Sequence, residues 1–393
     1  MKKLHGWKTT TLGEIAKIGG GSGFPDAYQG IESGDFPFIK VSDLNLPGNE
    51  RHVVHANNWV TEEVRRKLKA KAQPKGSIVF AKVGGAMLTN KRRMLTRPTI
   101  IDNNMMALEA ENVDRHYLYQ FMLTVDLGRF RQEGAVPSVN GSRIGEIVID
   151  LPSLPEQRRI ADILTTWDDA MTQLDALIEA QERRKKALMQ QLITGKKRVP
   201  GFKGKWKKVA LGDVAENVAD QNKGRMGTDR LFGVTKAEGV VPMRDHVKGE
   251  SFDRCKQVET DWFAYNPMRI NIGSIARWKG VETVMVSGDY VVFRCHPGML
   301  LPSYLDHLRQ SWMWQSFVTR GGNGSVRVRI YFSDLAEFTF PCPPLDEQRH
   351  IAAILDTADQ QLILLRAQRT ALDQQKRGLM QRLLTGKVRV TVE

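Results

Sequence analysis

The chain has 393 residues, 41% of them hydrophobic and 26% charged, with a formal net charge of +14. That composition suits a folded protein rather than a disordered one, and the length exceeds one ordinary core, so two domains with extra helices are expected. The basic balance points to a polyanionic partner, nucleic acid first among them, with a merely solvated basic surface as the bland alternative.

The charge excess is +5 over residues 1–152, +2 over 153–199, +5 over 200–343 and +2 over 344–393. Both halves share it, where a single basic tail would concentrate it. No apolar run approaches the roughly 20 residues of a membrane span, so no membrane association is expected. No apolar stretch follows Lys2 and Lys3, so no signal peptide is expected. Cys255, Cys295 and Cys342 are scattered and odd in number. They suit a reducing, cytoplasmic setting and argue against zinc or a disulfide framework.

In chain order, residues 1–152 read as a first globular domain of mixed α/β type. Its β-type runs lie at 36–41, 77–83, 100–108 and 146–151, and its helical stretches near 61–71 and 114–130. Residues 153–199 read as one long helix. Residues 200–343 repeat the mixed texture, with β-type runs at 230–234, 274–278, 284–294 and 335–340 and a helix at 303–319. Residues 344–393 read as a second long helix. The runs are broken by Gly, Pro and Asn, as turns require.

The two long helices are copies of each other. Leu154-Pro155-Glu156-Gln157-Arg158-Arg159-Ile160-Ala161-Asp162-Ile163-Leu164 matches Leu345-Asp346-Glu347-Gln348-Arg349-His350-Ile351-Ala352-Ala353-Ile354-Leu355 at an offset of 191 residues. Without a gap, 24 of the 48 positions from 152 to 199 are identical to their counterparts, far above chance; this is duplication. A weaker echo opens each half: Trp7…Leu12-Gly13-Glu14-Ile15-Ala16 against Trp206…Leu211-Gly212-Asp213-Val214-Ala215. Between the echoes only fragments match, such as Gly76-Ser77-Ile78 against Gly273-Ser274-Ile275. The frame was kept while the globular parts diverged, as selection for two different targets would produce.

Pro155 and Pro344 with the acids beside them suit a first helical turn, and Gly195 and Gly386 suit C-terminal caps. Apolar positions recur at steps of three and four: Ile160, Leu164, Trp167, Met171, Leu174 and Ile178, then Leu188 and Leu192. The second copy gives Ile351, Leu355, Ala358, Leu362, Leu365, Leu372, Leu379 and Leu383. This is a heptad seam, interrupted by Gln181 and Lys185 in one copy and by Arg369 and Lys376 in the other. About 39 residues at 1.5 Å each make a rod of roughly 58 Å. The simplest partner for each rod is the other rod. Packing on its own domain alone, or pairing in a homodimer, are the alternatives. An antiparallel pair would relate the two halves by a pseudo-two-fold axis and act as a spacer.

Several loops combine Lys or Arg with Asn, Ser and Gly. In the first domain they carry Lys82, Asn90, Lys91, Arg92, Arg93, Ser138, Asn140 and Arg143. In the second they carry Asn222, Lys223, Arg225, Arg269, Asn271, Arg277, Lys279, Asn323, Ser325, Arg327 and Arg329. Arg can read guanine edges, Asn adenine edges, and Lys the phosphates. Any one such loop is otherwise only a solvated turn. Chemistry-bearing motifs are absent from the sequence. Thr194-Gly195-Lys196 and Thr385-Gly386-Lys387 lack the upstream glycine of a phosphate-binding loop, and Gly19-Gly20-Gly21-Ser22-Gly23 is irregular. Tyr265-Asn266-Pro267-Met268 lacks the second proline and the aromatic of an amino-methyltransferase motif and reads as a turn. The eight histidines form no metal-binding pair, so no metal site is expected, nor any catalytic residue.

Two variable domains, each closed by a Pro-x-x-Glu-Gln-Arg-x-Ile-Ala-x-Ile-Leu-type helix, resemble the specificity subunit of type I restriction-modification systems. The resemblance covers the architecture of the whole chain and the motifs of 152–199 and 343–390. It implies two target recognition domains reading the halves of a bipartite, asymmetric DNA target. It also implies an antiparallel coiled-coil helix pair setting the unread spacer. The implied partners are double-stranded DNA, two methyltransferase subunits bringing S-adenosylmethionine for DNA methylation, and motor-nuclease subunits using ATP and Mg. This chain would be non-catalytic and bind no cofactor itself. A fused methyltransferase–nuclease and a coiled-coil scaffold without a DNA role are the competing readings.

Overall fold

The computed structural model describes residues 6–391 apart from 133, 135, 244–251 and 321–328. It divides into two compact units, Met1–Asp175 with Gln368–Glu393 and Ala176–Ala367. The division falls within the long helices, Leu154–Ile193 and Leu345–Leu383. Each unit therefore holds one globular domain, the first part of the helix that follows it, and the last part of the other helix.

The domain of the first unit carries two main sheets. One runs in the order Ala16–Gly20, Met105–Ala110, Ile78–Ala81, Arg92–Leu95, His52–Val53. The other runs Trp59–Val60, Phe36–Ile39, Thr99–Ile101, Ala72–Gln73, with its central pair parallel. A two-stranded ribbon joins Lys8–Thr11 to Val148–Leu151 at the helix entrance. The domain of the second unit repeats the plan. Its sheets run Ala215–Val218, Val291–Cys295, Phe263–Tyr265, Ile275–Arg277 and Gly239–Pro242, Leu231–Thr235, Val284–Val286, Lys256–Val258. Again the second sheet has one parallel pair, and Lys207–Ala210 pairs with Thr339–Cys342.

Several expected runs are cut by local polar chemistry. The run 100–108 breaks at Asp102, whose carboxylate accepts the N–H of Asn104 in a turn. The run 284–294 breaks at 287–290, and the helix at 303–319 becomes Pro302–Leu308 and Trp312–Arg320. The run 335–340 is instead the end of a short helix, Phe332–Ala336, followed by a strand. The ladders also correct the apparent match of Gly76-Ser77-Ile78 to Gly273-Ser274-Ile275. Ile78 lies opposite Leu108, and Phe263 lies opposite Phe293 in the same place of the second domain. Ile78 therefore corresponds to Phe263, and Ile275 to Arg92, which lies opposite Phe80.

Each domain is fastened to the helix pair by the duplicated motif. Glu156 is 2% exposed and Glu347 0%. Glu347 accepts from Arg198 at 2.6 and 2.7 Å and from the indole of Trp206 at 2.9 Å. Glu156 accepts from Arg389 at 2.6 and 2.8 Å and from the indole of Trp7 at 3.2 Å. Each guanidinium also lies over the indole ring it shares a carboxylate with. Burial pushes the Glu347 carboxyl up, but Arg198 and Trp206 hold it below its ordinary value. The adjacent glutamines act just as symmetrically. Gln157 accepts from the backbone N–H of Asp114 and donates to Pro152 O, at 2.8 and 2.9 Å. Gln348 accepts from Leu301 N–H and donates to Pro343 O, at 2.8 and 3.0 Å. Asp114 and Leu301 are the N-caps of the helices Arg115–Thr124 and Pro302–Leu308, so each glutamine pins a domain helix to the rod.

The helices pair antiparallel within each unit. In the first, Asp168 meets Lys376 at 2.6 Å and Asp175 meets Arg369 at 2.9 Å, with Glu156–Arg389 at the far end. In the second, Glu182 meets Arg366 and Lys185 meets Asp359, both at 2.5 Å, with Arg198–Glu347 at the end. Partner numbers fall as helix numbers rise. Ile160, Leu164, Met171, Leu174, Ile351, Leu355 and Leu362 are buried, and Trp167, Ile178, Leu365, Leu372 and Leu379 are half-buried. The polar break in the seam is thus an ion pair made once in each unit. Its aspartates, Asp168 and Asp359, are themselves a conserved Thr-x-Asp pair of the repeat. Gly195 and Gly386 cap the helices at φ 70° and 65°, in the left-handed region that glycine adopts without strain.

The domains also touch this seam. In the first unit Gln120 donates to Asp168 at 2.7 Å. At the corresponding place in the second, His307 is 2% exposed and bonds Asp356 at 2.9 Å, with Asp359 4.0 Å from its other ring nitrogen. Burial pushes the His307 imidazole below its ordinary value, against the pull of Asp356.

Two expectations follow for stability. Reversing Lys376 alone (Lys376→Asp) leaves two carboxylates facing each other and lowers the melting temperature, and adding Asp168→Lys recovers most of the loss. A double-mutant cycle by thermal unfolding should give a coupling of about 1–3 kcal/mol; independent, additive losses would show that the pair does not hold the seam. Because His307 is held below its ordinary value, the unfolded state binds more protons on the acid side. Stability therefore falls as pH drops through about 6.5. His307→Gln, which installs the residue of the first domain, should flatten that part of the profile in melts from pH 5 to 8.

Candidate nucleic-acid interface

The sheet register places most candidate contact residues on one compound feature, built once per domain. In the first domain it is the connection 82–91 between the strands Ile78–Ala81 and Arg92–Leu95. In the second it is the connection 266–274 between Phe263–Tyr265 and Ile275–Arg277. Each holds one short helix, Gly85–Leu88 or Ile270–Ile272. Each then turns through a left-handed residue two places before the next strand, Asn90 at φ 56° and Gly273 at φ 98°, residue types that tolerate this region.

A second loop lies against each connection. In the first domain Val139 N–H donates to Lys82 O at 2.9 Å and Gly84 N–H to Pro137 O at 2.7 Å, with Val83 and Ser138 bridged. In the second, Ile330 N–H donates to Pro267 O at 3.1 Å. Val139 and Ile330 are buried anchors. The next residue N-caps a short helix in each case, Asn140 before Gly141–Gly145 and Tyr331 before Phe332–Ala336. Lys82, Asn90, Lys91, Ser138, Asn140 and Arg143 thereby share one surface of the first domain. In the second, Arg269 and Asn271 lie on the connection and Arg329 on the loop that meets it. Asn323, Ser325 and Arg327 lie outside the described residues.

Burial removes some candidates from that surface. Arg92 is 1% exposed and donates to Asn90 O at 2.5 Å and to Val125 O. It occupies the core position of Ile275, and burial pushes its guanidinium down to about 10. Arg93 is half-buried and spends its donors on Arg92 O and Leu44 O, at 2.8 and 3.1 Å. Arg92 is thus a fold residue rather than a surface reader, a correction that depends on the packing around its strand. Asn222 is fully buried, and its side chain closes a turn by bonding both polar backbone groups of Met226. That turn presents Lys223 and Arg225 to solvent. Asn90 and Asn140 are also committed to the backbone: Asn90 accepts from Leu127 N–H and Asn140 from Arg143 N–H, both at 2.9 Å. They shape the loops. Lys91 bonds Asn45, and Arg143 is exposed.

Arg277 and Lys279 line a cleft of about 710 Å³ that also takes in Asn271 and Ile272 of the connection, with Lys236, Trp278 and Arg309. Its floor is Asp306, 5% exposed, with Arg309 at 2.6 Å, Lys279 at 3.0 Å and Arg277 at 3.6 Å. Burial pushes that carboxyl up, and the three cations outweigh it and hold it below its ordinary value. Arg277 is largely buried and also faces Asp261 at 3.5 Å, so it organises the cleft, while the ammonium of Lys279 is mostly exposed. Among the described residues no group of three or more His, Cys, Asp or Glu is placed to hold a metal ion. No described helix is long and apolar enough to cross a membrane.

The profile of the type I restriction modification DNA specificity domain matches residues 5–181 and 304–374. The chain is similar to the MjaX specificity subunit of a type I restriction enzyme from Methanocaldococcus jannaschii, 26% identical over 270 residues. That match takes in 64% of this chain and 62% of the relative, so it spans less than two thirds of the relative's length. It is 24% identical to the MjaVIII specificity subunit of the same organism over 343 residues, 75% of this chain and 76% of that one. The fold is that of the S subunit of a type I restriction-modification system from M. genitalium, with a TM-score of 0.62 at 12% identity over 98% and 97% of the two chains. With the profile on both halves and the duplicated helix frame in place, the chain belongs to the type I restriction-modification DNA specificity family.

Proposed function

We propose that this chain is the non-catalytic recognition subunit of a cytoplasmic type I complex, and that each domain reads one half of a bipartite, asymmetric duplex target. The observation that carries this reading is the contrast between frame and loops. The Glu–Arg–Trp clamp, the glutamine pin and the Asp–Lys seam pair recur residue for residue. The paired loops share their backbone plan yet present different side chains, Lys82, Lys91 and Arg143 in one domain against Arg269, Asn271 and Arg329 in the other. Equal frames with unequal reading surfaces suit two different half-sites. The long helices supply the spacer, and their duplicated surfaces suit two copies of a methyltransferase subunit. S-adenosylmethionine, ATP and Mg belong to the partners, methyltransferase and motor-nuclease, in this reading.

Selection of the assembled complex on random-sequence duplexes should return two short half-sites at one fixed spacing; a single contiguous motif, or none, contradicts the proposal. Inserting one heptad into both helices at matched levels adds about 10 Å, or roughly three base pairs. The spacer should lengthen by that amount while both half-sites stay unchanged.

A further inference from the structure

Each reading connection ends its short helix on an aliphatic side chain in solvent. Leu88 closes Gly85–Leu88 and is 44% exposed, and Ile272 closes Ile270–Ile272 and is 60% exposed. Singly exposed aliphatics are ordinary. Each of these two is the last residue of the one short helix in its connection, in domains whose intervening sequence has otherwise diverged, and neither lies in a hydrophobic core. Their surroundings are cationic and amide-rich. Leu88 lies beside Gly128, where Asp126 also packs and pairs with the well-exposed Arg129 at 3.7 Å, and it precedes Asn90 and Lys91. Ile272 follows Arg269 and Asn271, and Lys236 packs on the neighbouring Gly273.

An exposed apolar tip with Lys and Arg beside it fits a polyanion that offers a small apolar group between its charges. In duplex DNA the major groove offers one, the C5-methyl of thymine. We infer that Leu88 and Ile272 are base-reading residues, each packing on a thymine methyl of its own half-site; this rests on the DNA-reading role proposed above. Flanking Lys91 and Arg269 would then hold phosphates and set register without choosing bases.

The test uses the full chain assembled with its methyltransferase partners, on its selected target, with thymines replaced one at a time by uracil. Uracil removes the methyl and keeps the pairing edge. Wild type should lose about fourfold in affinity at one thymine in each half-site, the worth of one buried methyl. Leu88→Ala should abolish the uracil effect in one half-site only, and Ile272→Ala in the other only. Lys91→Ala should weaken all duplexes alike and reduce the salt dependence by about one counterion. Uracil effects that persist unchanged in both aliphatic variants, or that are missing from wild type, overturn the inference while leaving bipartite reading intact. If Leu88→Ala or Ile272→Ala instead weakens assembly with the methyltransferase, the tips dock protein and the inference fails. Absence of any half-site preference in wild type would sink the underlying reading as well.

Discussion

A buried carboxylate that must be neutralised is the constraint on which each half of this protein depends. Glu347 is fully buried and Glu156 nearly so. A carboxylate out of water is costly unless charge and hydrogen bonds compensate it. Here the compensation comes from two distant places in sequence: an indole that opens the domain and a guanidinium just past the end of the other helix. Satisfying one side chain therefore fixes the domain entrance, the start of one helix and the finish of the other together. A glutamic acid in a helical motif thus becomes a statement about topology.

The same logic explains why the helices remained alike while the domains drifted. Each clamp takes its carboxylate from one copy of the repeat and its guanidinium from the other, and so does each seam pair. A change in one copy leaves a buried or half-buried charge unanswered in the other, so the copies are coupled. Among the described residues the loops carry no such reciprocal bond. The contact between domain and seam shows how far drift can go without loss of the joint, with Gln120 in one unit and a buried His307 in the other.

The frame was legible in sequence because its signals are periodic and duplicated. The seam residues, the capping glycines and the domain entrances at Trp7 and Trp206 are all found where the repeat puts them. The ion-pair partners of Lys185 and Lys376 were within reach too, since Asp168 and Asp359 recur at the repeat's own offset. The reading surfaces were much less legible. Arg92 and Arg93 resemble a basic loop in sequence, but they belong to a strand whose burial depends on the sheets around it. Asn222 looks like a contact residue and instead closes a turn. Leu88 and Ile272 carry no polar signal, and only the fold shows that each ends the short helix of its connection. The tripeptide Gly-Ser-Ile misled for the same reason, because three identical residues do not fix a strand's neighbours.

One frame is proposed to hold two independent reading heads. Exchanging residues 6–152 for the corresponding domain of a relative, and selecting the assembled complex on random duplexes, tests it most directly. One half-site is expected to change while the other half-site and the spacing between them are retained. A change in both half-sites, or no change in either, would contradict it.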